Sequence, residues 1–369
     1  MDARALFDQN IRAFFTKLIQ GTGGSLRPIK LAEAALFQKR QEGRRRRAFK
    51  REIVVPPILI ASITRQCNLH CEGCYSRSLR PHLSSTVNAE GENSGELSDE
   101  RFMELFREAI ELGVSIILLA GGEPLLRKKL IEKASALPGI IFPVFTNGTL
   151  LDEEFLDLAR GGTIVPILSI EGSQTETDSR RGEGIHGKAL RWMAEMKRQG
   201  ILFGTSITLT SRNASSALNR RFLESLGALG VSVLFIIEFV PVSPGTESLI
   251  VETRQRAMLN DSDHFAGLPF PVVALPGDEE AFGGCLAAGR GFVHVSPEGQ
   301  LEACPFAPYS DTSLRSASLE SALRSPLLAA IRDHHGELTE TKGGCALWDK
   351  GGWIGALSAC SSTANSGND

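Results

Sequence analysis

Short runs of apolar residues alternate with amphipathic stretches through the middle of the chain. Within each run the apolar residues are nearly continuous, which is typical of parallel strands that are covered by helices. The runs occupy 58–63, 115–120, 140–145, 164–170, 203–210 and 231–240. Six strand–helix units in succession predict an α/β fold, a partial or complete βα barrel, better than they predict a sandwich.

The clearest helix signal lies between the first two strands, over residues 98–113. Ser98 stands where an N-cap is expected, and Gly113 stands where the helix should end. Arg101 occupies the third helical position, where a glutamate would complete a capping box. This stretch therefore predicts one amphipathic helix with defined ends.

Polar or glycine-rich segments follow the first four strands. In βα folds the loops that leave the carboxyl ends of the strands build the active site. The segments are Thr64-Arg65-Gln66-Cys67, Gly121-Gly122-Glu123-Pro124, Thr146-Asn147-Gly148 and Leu168-Ser169-Ile170-Glu171-Gly172. Their recurrence predicts a site at that end of the sheet.

Three segments outside this pattern leave alternatives open. Residues 76–97 are polar and follow a cysteine cluster, so they form either a flap over the site or a disordered loop. Apolar residues at helical spacing over 6–19 favour a helix packed on the main domain over one lying on a membrane. Residues 39–52 carry eight basic and two acidic side chains, which favours a solvated helix over a nucleic-acid contact because aromatic residues are not interleaved with the charges.

Composition narrows the class of protein. Of 369 residues, 42% are hydrophobic and 22% are charged, which excludes global disorder. The chain has no stretch of 18 apolar residues, and its first residues do not resemble a secretory signal. Seven cysteines, an odd number, argue against a disulfide scaffold and for reduced thiols that bind metal or react, so a cytoplasmic location is expected.

Three of the cysteines, Cys67, Cys71 and Cys74, fall within eight positions directly after the first strand. A [4Fe–4S] cluster takes one thiolate per iron, so three cysteines leave one iron open to a small chelating molecule. Zinc is the alternative, with His70 or His82 as a further ligand, although zinc sites more often use paired C-x2-C units. The spacing favours iron–sulfur.

The segments SITRQCNLHCEGCY, LAGGEPLLR, FTNGTL and LSIEG, on successive strands, resemble the radical S-adenosylmethionine (SAM) superfamily over about residues 56–241. The resemblance implies a partial (βα)6 barrel in which Cys67, Cys71 and Cys74 bind a [4Fe–4S] cluster and SAM chelates the fourth iron. It implies further roles toward SAM for seven residues. Gly121, Gly122, Glu123 and Pro124 would hold its amino group, Ser169 and Glu171 its ribose, and Arg181 its carboxylate.

The chain departs from the family pattern beside the third cysteine. Many members have an aromatic residue just before it, whereas this chain has Gly73 there and Tyr75 just after the cluster. Gly73 can still offer backbone groups to the adenine. The departure puts the aromatic packing against the adenine in question.

The remaining cysteines fall in the last quarter of the chain. The segment GFVHVSPEGQLEAC predicts a hairpin that ends at Cys304, with Cys285 ahead of it. This pattern is similar to the SPASM or Twitch extension of radical SAM maturases, which implies an auxiliary [4Fe–4S] cluster on Cys285, Cys304 and Cys345, the last delivered after a helix near 318–333. The fourth ligand stays open, and Cys360 lies in a small, polar tail that is typical of disorder.

These patterns divide the chain into four parts. A helical and basic segment spans 1–52, the barrel core 53–242, the auxiliary-cluster extension 243–354 and the tail 355–369.

The resemblance implies an oxygen-sensitive radical SAM oxidoreductase or maturase. It would cleave SAM to a 5′-deoxyadenosyl radical and abstract hydrogen from a peptide or small molecule, with electrons from a flavodoxin or ferredoxin. No nucleic-acid partner is expected, and no catalytic acid or base is assigned, although Glu238 at the end of the sixth strand could face the barrel. The alternative is a non-catalytic iron–sulfur or zinc sensor or scaffold whose basic segment contacts nucleic acid.

Overall fold

The computed structural model describes residues 28–79, 95–275, 283–338 and 345–357. The predicted amphipathic stretch at 6–19, His82, most of the polar segment 76–97, and Cys360 lie outside these ranges. None of the helices within them is long and apolar enough to cross a membrane.

The described residues form one curled sheet of nine strands in the order β7-β6-β5-β4-β3-β2-β1-β8-β9. All neighbouring strands are parallel except β8 and β9, which form an antiparallel hairpin. The strands are β1 (Ile58–Thr64), β2 (Ile116–Gly121), β3 (Phe142–Thr146), β4 (Ile164–Ile170), β5 (Gly204–Leu209), β6 (Leu234–Glu238), β7 (Val272–Leu275), β8 (Phe292–Val295) and β9 (Leu301–Glu302). The predicted partial barrel is confirmed, and its six expected strands are β1 to β6.

The helices lie before β1, between the strands from β1 to β7, and after β9. They are α1 (Pro28–Phe49), α2 (Tyr75–Leu79), α3 (Asp99–Leu112), α4 (Lys128–Ser135), α5 (Glu153–Arg160), α6 (Gln174–Arg181), α7 (Ile185–Arg198), α8 (Ala214–Ala217), α9 (Arg220–Leu229), α10 (Thr253–Asn260), α11 (Leu319–Ala322), α12 (Pro326–Asp333) and α13 (Ala346–Asp349). Residues 351–357 are also helical, and 3-10 turns occupy Pro124–Arg127, Glu247–Leu249, Ser262–Phe265 and His335–Glu337.

Helix α3 has the ends that the sequence predicts. The Ser98 hydroxyl accepts a hydrogen bond from the Arg101 backbone N–H, and Gly113 ends the helix with a left-handed φ of 119°. Its apolar face, which includes Phe102 and Phe106, is fully buried against the sheet and helices. The apolar spacing along this segment therefore determines which face of α3 joins the core.

The sheet has two differently packed faces. The side chains of Leu59, Ala61 and Ile63 on β1 point away from the barrel interior and join the large core with the helices. Val165 and Phe235 belong to a separate apolar cluster. Alternate residues of each strand thus divide between the helix layer and the barrel interior, as the two-residue period of a strand requires.

The basic segment 39–52 is largely helical, and its arginines do more than face water. Arg45 is buried and donates to the Gly113 carbonyl at 2.5 Å and to the Ser115 hydroxyl at 2.7 Å, while Arg44 donates to the Ile110 carbonyl. Cations at a helix carboxyl end are favourable because the exposed carbonyls carry negative partial charge. The run therefore binds α1 to the end of α3, which gives it a role other than nucleic-acid contact.

The last part of the chain extends the same sheet. Strand β7 adds to β6, and β8 pairs with β1 in parallel, with Ile58 opposite Phe292. The predicted hairpin is confirmed as β8 and β9. The single helix predicted near 318–333 is wrong: α11 ends, and Pro326 starts α12, because proline favours the first helical turn and Ser325 caps it.

Candidate functional site

One cavity of about 270 Å³ lies at the carboxyl ends of the barrel strands. Cysteines from both ends of the sequence line it, and so do most of the predicted cofactor-binding residues. The predicted residues in its wall are Cys67, Cys71, Cys74, Gly121, Gly122, Glu123, Ser169, Arg181, Cys285, Cys304 and Cys345. Pro124 and Glu171 stand outside the lining, Pro124 as the first residue of a 3-10 turn.

The glycine turn after β2 holds the loop that leads to the first cysteine. The Gly122 N–H donates to the Thr64 carbonyl and the Glu123 N–H to the Gln66 carbonyl, both at 2.7 Å. A Cβ atom on Gly122 would lie 2.0 Å from the Gln66 carbonyl oxygen. The glycine is therefore needed for contact between two loops of the chain, and that contact fixes the approach to Cys67.

Burial disfavours the ionised forms of two cysteines in the triplet. It raises the pKa of Cys67 to about 11, helped by the negative charge of Glu123 and opposed by the Leu69 N–H. Burial also raises the pKa of Cys71, while Arg181 and Arg180 act in the opposite direction. Since metals bind the thiolate, a bound cation would supply the charge that stabilises these ligands.

Glu123 is buried, and its carboxylate is anchored by the chain. It accepts from the Asn147 N–H at 2.8 Å, from the Leu125 N–H at 3.0 Å and from the Thr146 hydroxyl at 2.7 Å. Burial nevertheless raises the pKa of this carboxyl. A carboxylate can accept about four hydrogen bonds, so these three donors leave capacity for one more, such as an ammonium group.

Two arginines at the end of α6 share one carboxylate. Glu171, 1% exposed, accepts from both Arg180 and Arg181 and also from the Thr208 N–H at 3.0 Å. Both guanidinium groups line the cavity, and the buried Nε of Arg180 has no hydrogen-bond partner among the described residues. Two cations and one anion leave this corner positive.

The space beside Gly73 is filled by an aromatic ring from elsewhere in the chain. Gly73 has a left-handed φ of 64°, and a Cβ atom there would lie 2.5 Å from the Phe239 ring. Phe239 is buried and lines the cavity just after β6. An aromatic group is thus present next to the triplet, although no local sequence pattern predicts it.

The auxiliary cysteines reach the same cavity through the last two strands. Cys285 precedes β8, Cys304 follows β9, and both are buried. The Cys345 sulfur accepts from the Trp348 N–H at 3.4 Å and so caps α13. Tyr75, beside the triplet, packs edge-on against Phe306 at 4.9 Å between ring centroids, which joins the two cysteine groups.

Two further polar groups define the rim of the cavity. Ser169 lies 3.1 Å from the Ser206 hydroxyl. Glu238 is buried at the end of β6 and faces the barrel as expected. Its carboxylate accepts hydrogen bonds from both Nε and Nη2 of Arg256. Burial raises the pKa of Glu238, although the Arg256 guanidinium acts in the opposite direction. Sequence reasoning missed Arg256 because it lies on α10, outside the strand-end segments.

The donor set fits a cluster better than a single ion. The part of the chain that the structure describes contains no group of three or more His, Cys, Asp or Glu side chains placed to hold one metal ion. His70 is exposed and does not line the cavity. In an iron–sulfur cluster each thiolate binds a different iron, so the thiols surround a larger volume. The thiol-lined cavity and its positive corner fit a cluster together with a cofactor that carries acceptor groups.

Comparison with known proteins agrees with this chemistry. Residues 61–213 match the model of the radical SAM superfamily. The chain is 33% identical to Fe-coproporphyrin III synthase of Methanosarcina barkeri over 161 residues, 42% of this chain but only 38% of that enzyme. It is 26% identical to AdoMet-dependent heme synthase of the same organism over 79% of this chain and 88% of the relative.

A solved structure shows the same fold. The structure of anSMEcpe with bound AdoMet and Cp18Cys peptide has a TM-score of 0.61 and 15% identity, covering 84% of this chain and 97% of that one. The superfamily match spans β1 to β5, the strands that carry the cysteine triplet and the glycine turn. Over residues 61–213 the chain is therefore similar to the radical SAM superfamily.

Proposed function

We propose that this chain is a radical SAM enzyme that cleaves SAM reductively and abstracts hydrogen from a peptide or small-molecule substrate. The observation that carries the proposal is that Cys67, Cys71 and Cys74 line one cavity together with the glycine turn after β2. When bound, the reduced cluster and SAM supply a 5′-deoxyadenosyl radical that removes a hydrogen atom from the substrate.

The residues of the chain bind and orient these groups. Cys67, Cys71 and Cys74 would hold three irons, and Glu123 would accept a hydrogen bond from the amino group of SAM through its remaining capacity. The positive corner made by Arg180 and Arg181 is suited to the carboxylate of SAM. Because Glu171 is engaged by both arginines, its contribution would be to orient them, with any contact to the ribose left to Ser169.

Cys285, Cys304 and Cys345 would hold an auxiliary cluster, since all three line the same cavity. Its fourth ligand is unassigned, and a cysteine such as Cys360 or a group of the substrate could complete it. A low-potential flavodoxin or ferredoxin would supply electrons in the cytoplasm.

The experiment is SAM cleavage by anaerobically reconstituted protein with dithionite as reductant. We expect about eight irons per chain, brown absorbance, and release of 5′-deoxyadenosine. Cys71→Ser should abolish cleavage, and Arg47→Ala, on the exposed face of α1, should retain it. Cleavage that persists in Cys71→Ser, or a reconstituted wild type that holds its clusters and does not cleave SAM, would overturn the proposal.

A further inference from the structure

Apolar side chains line the part of the cavity that lies inside the barrel, away from its polar rim. They come from six different strands and define what is here called the apolar chamber, made of Ile60, Leu118, Phe145, Phe235, Leu275 and Phe292. Phe145 and Leu275 lie at or next to the carboxyl ends of β3 and β7, and Phe145 packs edge-on against Phe235 at 5.1 Å between centroids. The chamber therefore adjoins the cysteines and the predicted SAM contacts.

Most of these side chains remain partly exposed although they face the interior of the sheet. Ile60, Leu118, Phe145 and Leu275 are of intermediate exposure, and all four line the cavity. Removing apolar surface from water is favourable. An apolar occupant would gain this free energy without having to displace any protein group.

Each charged side chain in the cavity wall already interacts with a side chain of opposite charge or accepts several hydrogen bonds. Within the described residues, the charged side chains of the lining are Glu123, Arg180, Arg181 and Glu238. Glu171 neutralises one charge of the arginine pair, and the remaining positive charge lies beside the triplet, where the proposed cofactor binds. Arg256 holds Glu238 at the end of β6. A charged substrate group in the chamber would find no partner among these and would be costly to bury.

Volume limits what can enter. The cavity measures about 270 Å³, at or below the roughly 300–1,000 Å³ of ordinary ligand pockets. The proposed cofactors would share that space. A cavity of this size therefore admits only part of a large substrate.

From these observations, and given the proposed function, we infer that the substrate inserts an uncharged alkyl or aryl group into the apolar chamber, and that this group carries the hydrogen to be abstracted. Removal of a hydrogen atom leaves a carbon radical without a change of charge. The reacting carbon therefore needs no charged partner, and an apolar wall can hold it.

The test compares three aryl probes of one shape that differ in charge. Fluorobenzene, 4-fluorobenzoate and 4-fluorobenzylamine are titrated into anaerobically reconstituted protein with SAM bound, and binding is followed by ¹⁹F NMR. We expect saturable binding of fluorobenzene and affinities at least tenfold weaker for both charged probes. Equal affinity for a charged probe, or no saturable binding of fluorobenzene, overturns the inference.

Two variants locate the binding. Leu275→Asp places a carboxylate in the chamber wall at a partly exposed edge-strand position, so fluorobenzene should bind at least tenfold more weakly and 4-fluorobenzylamine more tightly than in the wild type. Leu36→Asp, on the exposed face of α1, is the matched control and should change neither affinity. Unchanged probe affinities in Leu275→Asp would refute the assignment to the chamber.

Iron content and SAM cleavage are measured on the same samples. Normal cleavage without the charge selectivity would refute only the substrate inference. Charge selectivity in a protein that holds its clusters but does not cleave SAM would refute the proposed function and leave the chamber as an apolar binding site.

Discussion

Gly122→Ala tests whether the glycine turn positions the first cysteine. The new Cβ would lie 2.0 Å from the Gln66 carbonyl oxygen, where ordinary contacts begin at 3.4 Å. The atom that it meets belongs to the backbone, so a side-chain rotation cannot relieve the contact. Either the turn or the loop that leads to Cys67 must move.

The cost can be estimated from the contacts that the movement would break. Overpacking of this kind costs about 1–3 kcal/mol. The two backbone hydrogen bonds between the turn and the loop contribute about 0.5–1.5 kcal/mol each. Alanine reduces the conformational entropy of the unfolded chain relative to glycine, which offsets about 0.4–1 kcal/mol of this loss. Together these contributions predict that Gly122→Ala destabilises the protein by about 1–5 kcal/mol.

The assay is urea unfolding followed by circular dichroism, with iron counted on the same anaerobic preparations. Gly187→Ala is the matched control because Gly187 lies inside α7 with open space around its Cα, so alanine should stabilise by about 0.5–1 kcal/mol. Gly122→Ala should also lose iron from the first cluster. A variant that unfolds within about 0.5 kcal/mol of the wild type and retains all its iron would refute the reasoning.

Three further substitutions have defined outcomes in the same unfolding assay. Arg45→Ala removes two hydrogen bonds to the carboxyl end of α3 and should lower the free energy of unfolding by about 1–3 kcal/mol. Arg47→Ala, at an exposed position, should change it by less than about 0.5 kcal/mol. Equal losses in the two variants would contradict the helix-end contact. His294→Ala leaves a buried hydroxyl and a buried carboxylate without this partner and should cost about 2–4 kcal/mol, while a loss below about 0.5 kcal/mol would contradict a role in joining β8 to β1. Gly73→Ala should destabilise the protein by about 1–3 kcal/mol because the new Cβ would meet the Phe239 ring. Adding Phe239→Leu should recover part of that loss. A double-mutant cycle without coupling would show that the ring does not fill the space beside Gly73.

The local parts of the fold follow from sequence because their signals are local. The capping serine and terminal glycine of α3 act within one turn of the helix that they bound. The apolar runs of β1 to β6 need only their own residues to be recognised as strands. The glycine turn and the cysteine triplet were likewise found at the strand ends where the structure has them.

The features that the sequence patterns did not predict depend on contacts between residues that are far apart in the chain. Arg45 sits in a run that looks like a solvated basic surface, and only the end of α3 makes its burial favourable. Phe239 is one apolar residue among many, and its role beside Gly73 arises from the curl of the sheet. Hydrophobic periodicity indicates which face of an element is buried, but it does not identify the partner.

The convergence of the two cysteine groups is the largest of these long-range effects. Strand β8 could have paired with any free edge, and its place beside β1 carries Cys285 and Cys304 to the cavity that the triplet lines. At this junction Ser62 on β1 and Glu302 on β9 both hydrogen-bond His294, at 2.8 and 2.7 Å. These groups are almost completely buried, so a shift of register would leave polar atoms without these partners at a cost of about 1–3 kcal/mol each. The polar junction therefore specifies the strand pairing, and the strand pairing brings the second set of thiols to the first.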